Sequence, residues 1–154
     1  MHPEIGSQIS FSNGIMKTKI VRGIQLFWAY FIALGAVVGF GMMIYDPSGV
    51  TFQMDPLLPQ LREAFPFLSF MFGNFIWSAF ALLTVNGITN MVSIYLIHNN
   101  SEYDALSGLF CGLILMIWIL VEFYIWGFSG LSVAYGIFAA CQILNAVIFI
   151  KSKK

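Results

Sequence analysis

ALSGLFCGLILMIWILVEFYIW, residues 105–126, is a run of 22 residues with a single carboxylate, Glu122, and no basic residue. As an α-helix it would be about 33 Å long, close to the roughly 30 Å hydrocarbon core of a bilayer. A helix of a water-soluble protein keeps a polar stripe for its solvent face, and this one has none. The stretch therefore reads as a helix whose solvent is lipid.

Three further runs have the same character. Between Arg22 and Asp46 lie 23 residues without a charge, centred on IQLFWAYFIALGAVVGFGMMIY. Between Glu63 and His98 lie 34, and LSVAYGIFAACQILNAVIFI follows Gly130 up to Lys151. Over all 154 residues the chain is 59% hydrophobic and 9% charged, too few charges to clothe a water-facing surface of this size. The sequence thus predicts an all-α, integral membrane, up-down four-helix bundle, one domain over 1–154, with spans at about 22–45, 67–97, 105–126 and 130–150.

The second run is long enough for two helices, and charge decides between the counts. Lys17, Lys19 and Arg22 precede the first span, Lys151, Lys153 and Lys154 follow the last, and Arg62 is the remaining basic residue. Basic flanks mark the cytoplasmic side, so both ends belong there and the number of crossings is even. Four spans are expected, with the second helix tilted or projecting beyond the bilayer. The polar leader MHPEIGSQISFSNGIMKTK has no apolar centre of a cleavable signal, so the first span is expected to stay in the mature chain.

The connections follow from this topology. DPSGVTFQMDPLLPQLREAFP, 46–66, is the one long loop and is expected outside, broken at Asp46-Pro47 and Asp55-Pro56, with LPQLREAF as a short amphipathic turn. HNNSEYD and GFSG are tight links that make neighbouring helices antiparallel.

Polar groups inside the spans are the candidates for function. Glu122 lies one turn below Trp126, roughly 6 Å from the outer boundary at 1.5 Å per residue. A carboxylate there is expected either to carry a proton or to meet Arg62 reaching down from the loop. It reads as a tie between helices or as a site for a proton, cation or amine. Asn74, Trp77 and Ser78 lie nearest to it on the second helix, and Trp77 and Trp118, placed too deep for an interfacial belt, each require an acceptor for the indole N–H. Asn86 and Asn90 share one face of the second helix, and Gln142 and Asn145 one face of the fourth; the four amides are expected to meet as interhelical glue or to line a small cavity.

Gly35, Gly39 and Gly41 in GAVVGFG give the first helix a small-residue face for packing within the bundle, or for a homodimer or a partner membrane protein. Cys111 and Cys141 read as small core residues at similar depth. His2 stands in the leader and His98 at a helix end. No metal-ligand, phosphate-loop or redox motif is present, so no cofactor and no catalytic residue is assigned, and without a basic block neither is nucleic acid.

MIWILVEFYIWGFSGLSVAYGIFAACQI, with Pro66-Phe67, Val85-Asn86-Gly87 and Asn90, resembles a pattern in small, uncharacterised bacterial four-helix membrane proteins. The resemblance covers about the last two thirds of the chain. It implies a bacterial inner-membrane location and four spans, and it implies no activity. Three function classes remain open. The long loop and the glycine face favour a non-catalytic accessory, regulatory or immunity-type protein. Glu122 favours a small transporter or binder of a lipid, hydrophobic or amine compound. An enzyme has the least in its favour.

Overall fold

The computed structural model describes residues 4–153, with side chains described from Thr18 onward and at Met16; His2 lies outside the described residues. Among the described residues every regular element is helical. Four helices are long and apolar enough to cross a membrane: Thr18–Tyr45, Ile76–His98, Asp104–Trp126 and Gly130–Ser152. The first is the C-terminal part of α1 (Glu4–Tyr45). The second is composite, α3 (Ile76–Leu82) and α4 (Thr89–His98) joined by a π-helical turn over Leu83–Ile88. The third and fourth are α5 (Asp104–Trp126) and α6 (Gly130–Ser152).

Each long helix packs on its chain neighbours, and the fourth returns to the first, which closes a four-helix bundle. The closest pair is α5 and α6, where Gly112 admits the Ile143 backbone: a Cβ on Gly112 would stand 3.1 Å from Ile143 N. Large apolar residues point outward on all four helices, among them Leu34, Val92, Ile117 and Leu144. That distribution is unstable in water and natural in hydrocarbon.

The two lysine-bearing termini lie at the same end of the bundle. Thr18 Oγ1 donates to Ser152 O at 3.1 Å, and Asn145 Nδ2 donates to Val21 O at 3.2 Å. At this end Lys153 pairs with the buried Asp104, and Arg22 donates to Asn100 Oδ1 and Ile97 O.

The opposite, loop-bearing end differs from expectation in one respect. The helix expected over 67–97 begins at Ile76. Pro66–Gly73 forms a separate 3-10 segment, and Asn74 leaves helical geometry at φ −155°, ψ −176°. Its Oδ1 then accepts from Ile76 N at 3.0 Å, so the side chain satisfies an orphan amide of a new helix start. Neither tilt nor projection is needed to place the 34 residues. Before this break, α2 (Leu57–Ala64) forms the expected amphipathic turn and buries Leu58 and Leu61 with Phe75 across the bundle end. The loop is tied down by Phe75 N donating to Pro47 O at 2.8 Å and by Trp126 Nε1 donating to Leu57 O at 3.4 Å.

Candidate functional site

Glu122 is half-buried and doubly held. Trp118 Nε1, one turn earlier on α5, donates to Oε1 at 2.6 Å, and Ser132 Oγ in the first turn of α6 donates to Oε2 at 2.7 Å. Ser132 is itself placed by Ser129, whose Oγ accepts from Ser132 N at 3.1 Å as the N-cap of α6. The tight GFSG link therefore does chemical work: it delivers a capped hydroxyl to the carboxylate of the preceding helix. Glu122 thus hydrogen-bonds α5 to α6. A carboxylate has about four lone-pair sites, and these two bonds leave its acceptor capacity half used.

The same carboxylate lies on the wall of a cavity of about 470 Å³. That size falls within the roughly 300–1,000 Å³ of small-molecule sites. The wall is made chiefly by α1 and α5 and is mostly apolar; Leu82 and Asn86 join it from the second long helix, Leu131 and Tyr135 from α6 and Met54 from the loop, and its polar side chains are Asn86, Trp118, Glu122 and Tyr135. Leu34, Val38 and Leu131 belong to the lining and are also exposed on the bundle surface. The opening between α1 and α6 therefore faces the lipid-exposed side. Gly35 and Gly39 line this cavity too, and within the bundle they face Tyr135 and Leu82: an added Cβ would come within 2.6 Å of Tyr135 Oη and 2.7 Å of a Leu82 methyl.

The residues expected around Glu122 do not assemble there. Arg62 instead donates Nε to Phe72 O at 2.7 Å and Nη2 to Gly73 O at 3.3 Å. It caps the 3-10 segment, whose last carbonyls are a nearer acceptor than a group inside the bundle. Asn74 serves as the helix start described above. Trp77 is 53% exposed on the outer surface. Its depth was overestimated because the helix was expected to begin at 67; with the start at Ile76, Trp77 is in the first turn, where an indole suits a membrane boundary.

The four amides do not meet as one cluster: Gln142 reaches Asn90, Asn145 turns to α1, and the Asn86 side chain stays unpartnered. Gln142 Nε2 donates to Asn90 Oδ1 at 3.0 Å, and Asn90 Nδ2 donates to Asn86 O at 2.8 Å, joining α6 to the second long helix. Asn145 turns to α1 and donates to Gln25 Oε1 at 2.8 Å. Gln25 is fully buried and was missed by sequence reasoning, which placed it inside the first span without singling it out. The available signal was Gly108: a Cβ there would stand 1.7 Å from Gln25 Nε2, so the glycine leaves the space the amide fills. Among the described residues the buried side-chain atoms without a partner are Gln25 Nε2, Gln142 Oε1 and both amide atoms of Asn86. Cys111 and Cys141 are free thiols, and Cys111 Sγ donates to Thr89 O at 3.3 Å.

No protein-family model, curated protein or solved structure matches the chain. The likeness of its C-terminal two thirds to small bacterial membrane proteins accordingly assigns no family, and the functional reading rests on the site itself.

Proposed function

We propose that the protein is a four-span inner-membrane protein, with its lysine-bearing end in the cytoplasm, that binds a small lipophilic compound carrying a basic or hydrogen-bond-donating group. The observation that carries this reading is the position of Glu122, a carboxylate with spare acceptor capacity on the wall of a mostly apolar cavity. Apolar walls give such a ligand most of its affinity, and one charged acceptor orients it. The side opening between α1 and α6 lets a membrane-dissolved ligand enter without crossing water. A role as accessory, regulatory or immunity-type protein would use the long loop or the glycine face. Of that face Gly35 and Gly39 are covered by Tyr135 and Leu82 of the same chain, with Gly41 left open, and the loop is folded on the bundle, so the cavity has the better support.

The test is equilibrium binding of tritiated N,N-dimethyldecylamine to the protein in lipid nanodiscs, with empty nanodiscs subtracted. Saturable binding is expected, weakened at least tenfold by Glu122→Gln, which loses the charge. The variant should keep the wild-type melting temperature within a few degrees, because glutamine's carbonyl still accepts from Trp118 and its amide can turn to Ser132. Equal binding by the two proteins would sink the reading.

A further inference from the structure

Asn86 contributes a second polar feature to the same cavity, independent of Glu122. It is 2% exposed, its Nδ2 and Oδ1 both lack a partner, and it belongs to the cavity lining. A buried unpartnered amide is unfavourable, and this one has two open positions at once. The backbone around it is also irregular. Asn86 sits in the π-helical turn Leu83–Ile88, and side chains of the following turn satisfy the widened ladder: Thr89 Oγ1 donates to Val85 O at 2.5 Å and Asn90 Nδ2 to Asn86 O at 2.8 Å. Single π-turns within α-helices occur frequently at functional sites. Here the neighbours take the backbone carbonyls and leave the Asn86 side chain unengaged. Ile32, Ala36, Leu82 and Leu115, also in the lining, offer no hydrogen-bonding side chain.

We infer that Asn86 is a second anchor of the cavity, and that its ligand is bifunctional: an apolar body with a basic group for Glu122 and, apart from it, a hydroxyl or carboxamide that exchanges hydrogen bonds with Asn86. A group that both donates and accepts is required, because the free amide presents one donor end and one acceptor end. This inference rests on the binding role of Glu122 and adds the chemistry of the ligand's other end. A site built to bond a hydroxyl discriminates strongly against the analogue lacking it, since the buried partner is then left unpaired.

Two probes separate the anchors: N,N-dimethyldecylamine and 10-(dimethylamino)decan-1-ol, which differ by the terminal hydroxyl. Wild-type protein in nanodiscs should bind the amino alcohol about tenfold more tightly than the plain amine after correction for their partition into lipid. Asn86→Leu should abolish that preference, with a melting temperature no lower than wild type because an unpartnered amide has been removed. Absence of the preference in wild type, or its persistence in Asn86→Leu, would overturn the second anchor; the wild-type comparison decides this even if the variant folds poorly. Failure of the Glu122 reading looks different: Glu122→Gln would then leave the plain amine's binding unchanged.

Discussion

Asp46 shows how one side chain organises the loop that roofs the cavity. It follows the last residue of α1, and its Oδ1 accepts from Ser48 N at 3.0 Å and Ser48 Oγ at 2.5 Å, while Oδ2 accepts from Thr51 N at 2.7 Å. These donors favour the charged form, the Ser48 hydroxyl foremost, and hold the carboxyl well below its ordinary 3.8. A depressed carboxyl contributes stability that is complete above the ordinary value and is lost as pH falls below it. The loop next reaches Gly49, whose φ of +78° suits glycine and whose Cβ position is filled by the Phe75 ring at 2.6 Å. Loop fixation by Asp46 is therefore expected to be constant from pH 7 to 5 and to fail in strong acid. Asp46→Asn should make the loop at neutral pH resemble the acid form. The measurement is amide hydrogen exchange of Gly49–Met54, corrected for intrinsic rates: several-fold faster exchange in the variant is expected, and unchanged protection would show that the charge is idle.

At the scale of elements, the bundle depends on close approaches that single glycines permit. Gly108 on α5 abuts the buried Gln25 amide of α1, which in turn accepts from Asn145 of α6, so three helices meet at one missing Cβ. Alanine at 108 gains up to about 1 kcal/mol in helix propensity. Against that, overpacking and displacement of Gln25 from Asn145 cost about 1–3 kcal/mol each. Gly108→Ala should therefore lower stability by about 1–6 kcal/mol net, and Gln25→Ala added to it should restore part of the loss by vacating the space. Denaturation of both single variants and the double variant in detergent gives the coupling; strict additivity would show that the contact is not felt. The same elements explain what was legible from sequence. Hydropathy located α5 and α6 to within two residues, because lipid-facing helices are apolar all round and their ends are marked by Asp104, Gly130 and Lys151. It missed the break at Asn74, since PFLSFMFG is as apolar as a span and hydropathy does not register the φ/ψ of one asparagine. It also misdirected Arg62, because a long flexible side chain has many reachable acceptors and only the fold decides among them. The carboxylate was visible as an outlier in its run; the cavity beside it was not, because its walls come from five separate stretches that no spacing rule brings together.

At the scale of the whole molecule, the functional reading depends on which way the bundle stands. Hydrogen bonds from Thr18 to Ser152 and from Asn145 to Val21 bring the first and fourth long helices together at their lysine-bearing ends. Arg22 and Lys153 are engaged there in polar ties, while the cavity lies toward the loop-bearing end, between Asn86 and Met54. Lysines and arginines are retained on the cytoplasmic side during insertion, so this end should face the cytoplasm and Glu122 the opposite boundary. Reporter fusions check the assignment: a cytoplasm-active fluorescent protein at either terminus should be bright, and a phosphatase active only outside should be silent at both. A short protease site inserted after Ser48 should be cut only from the external side. Opposite compartments for the two termini would break the bundle's parity. Both termini outside would keep the fold but turn the cavity's mouth toward the inner leaflet, which changes the supply of its ligand from the external to the cytoplasmic face of the membrane.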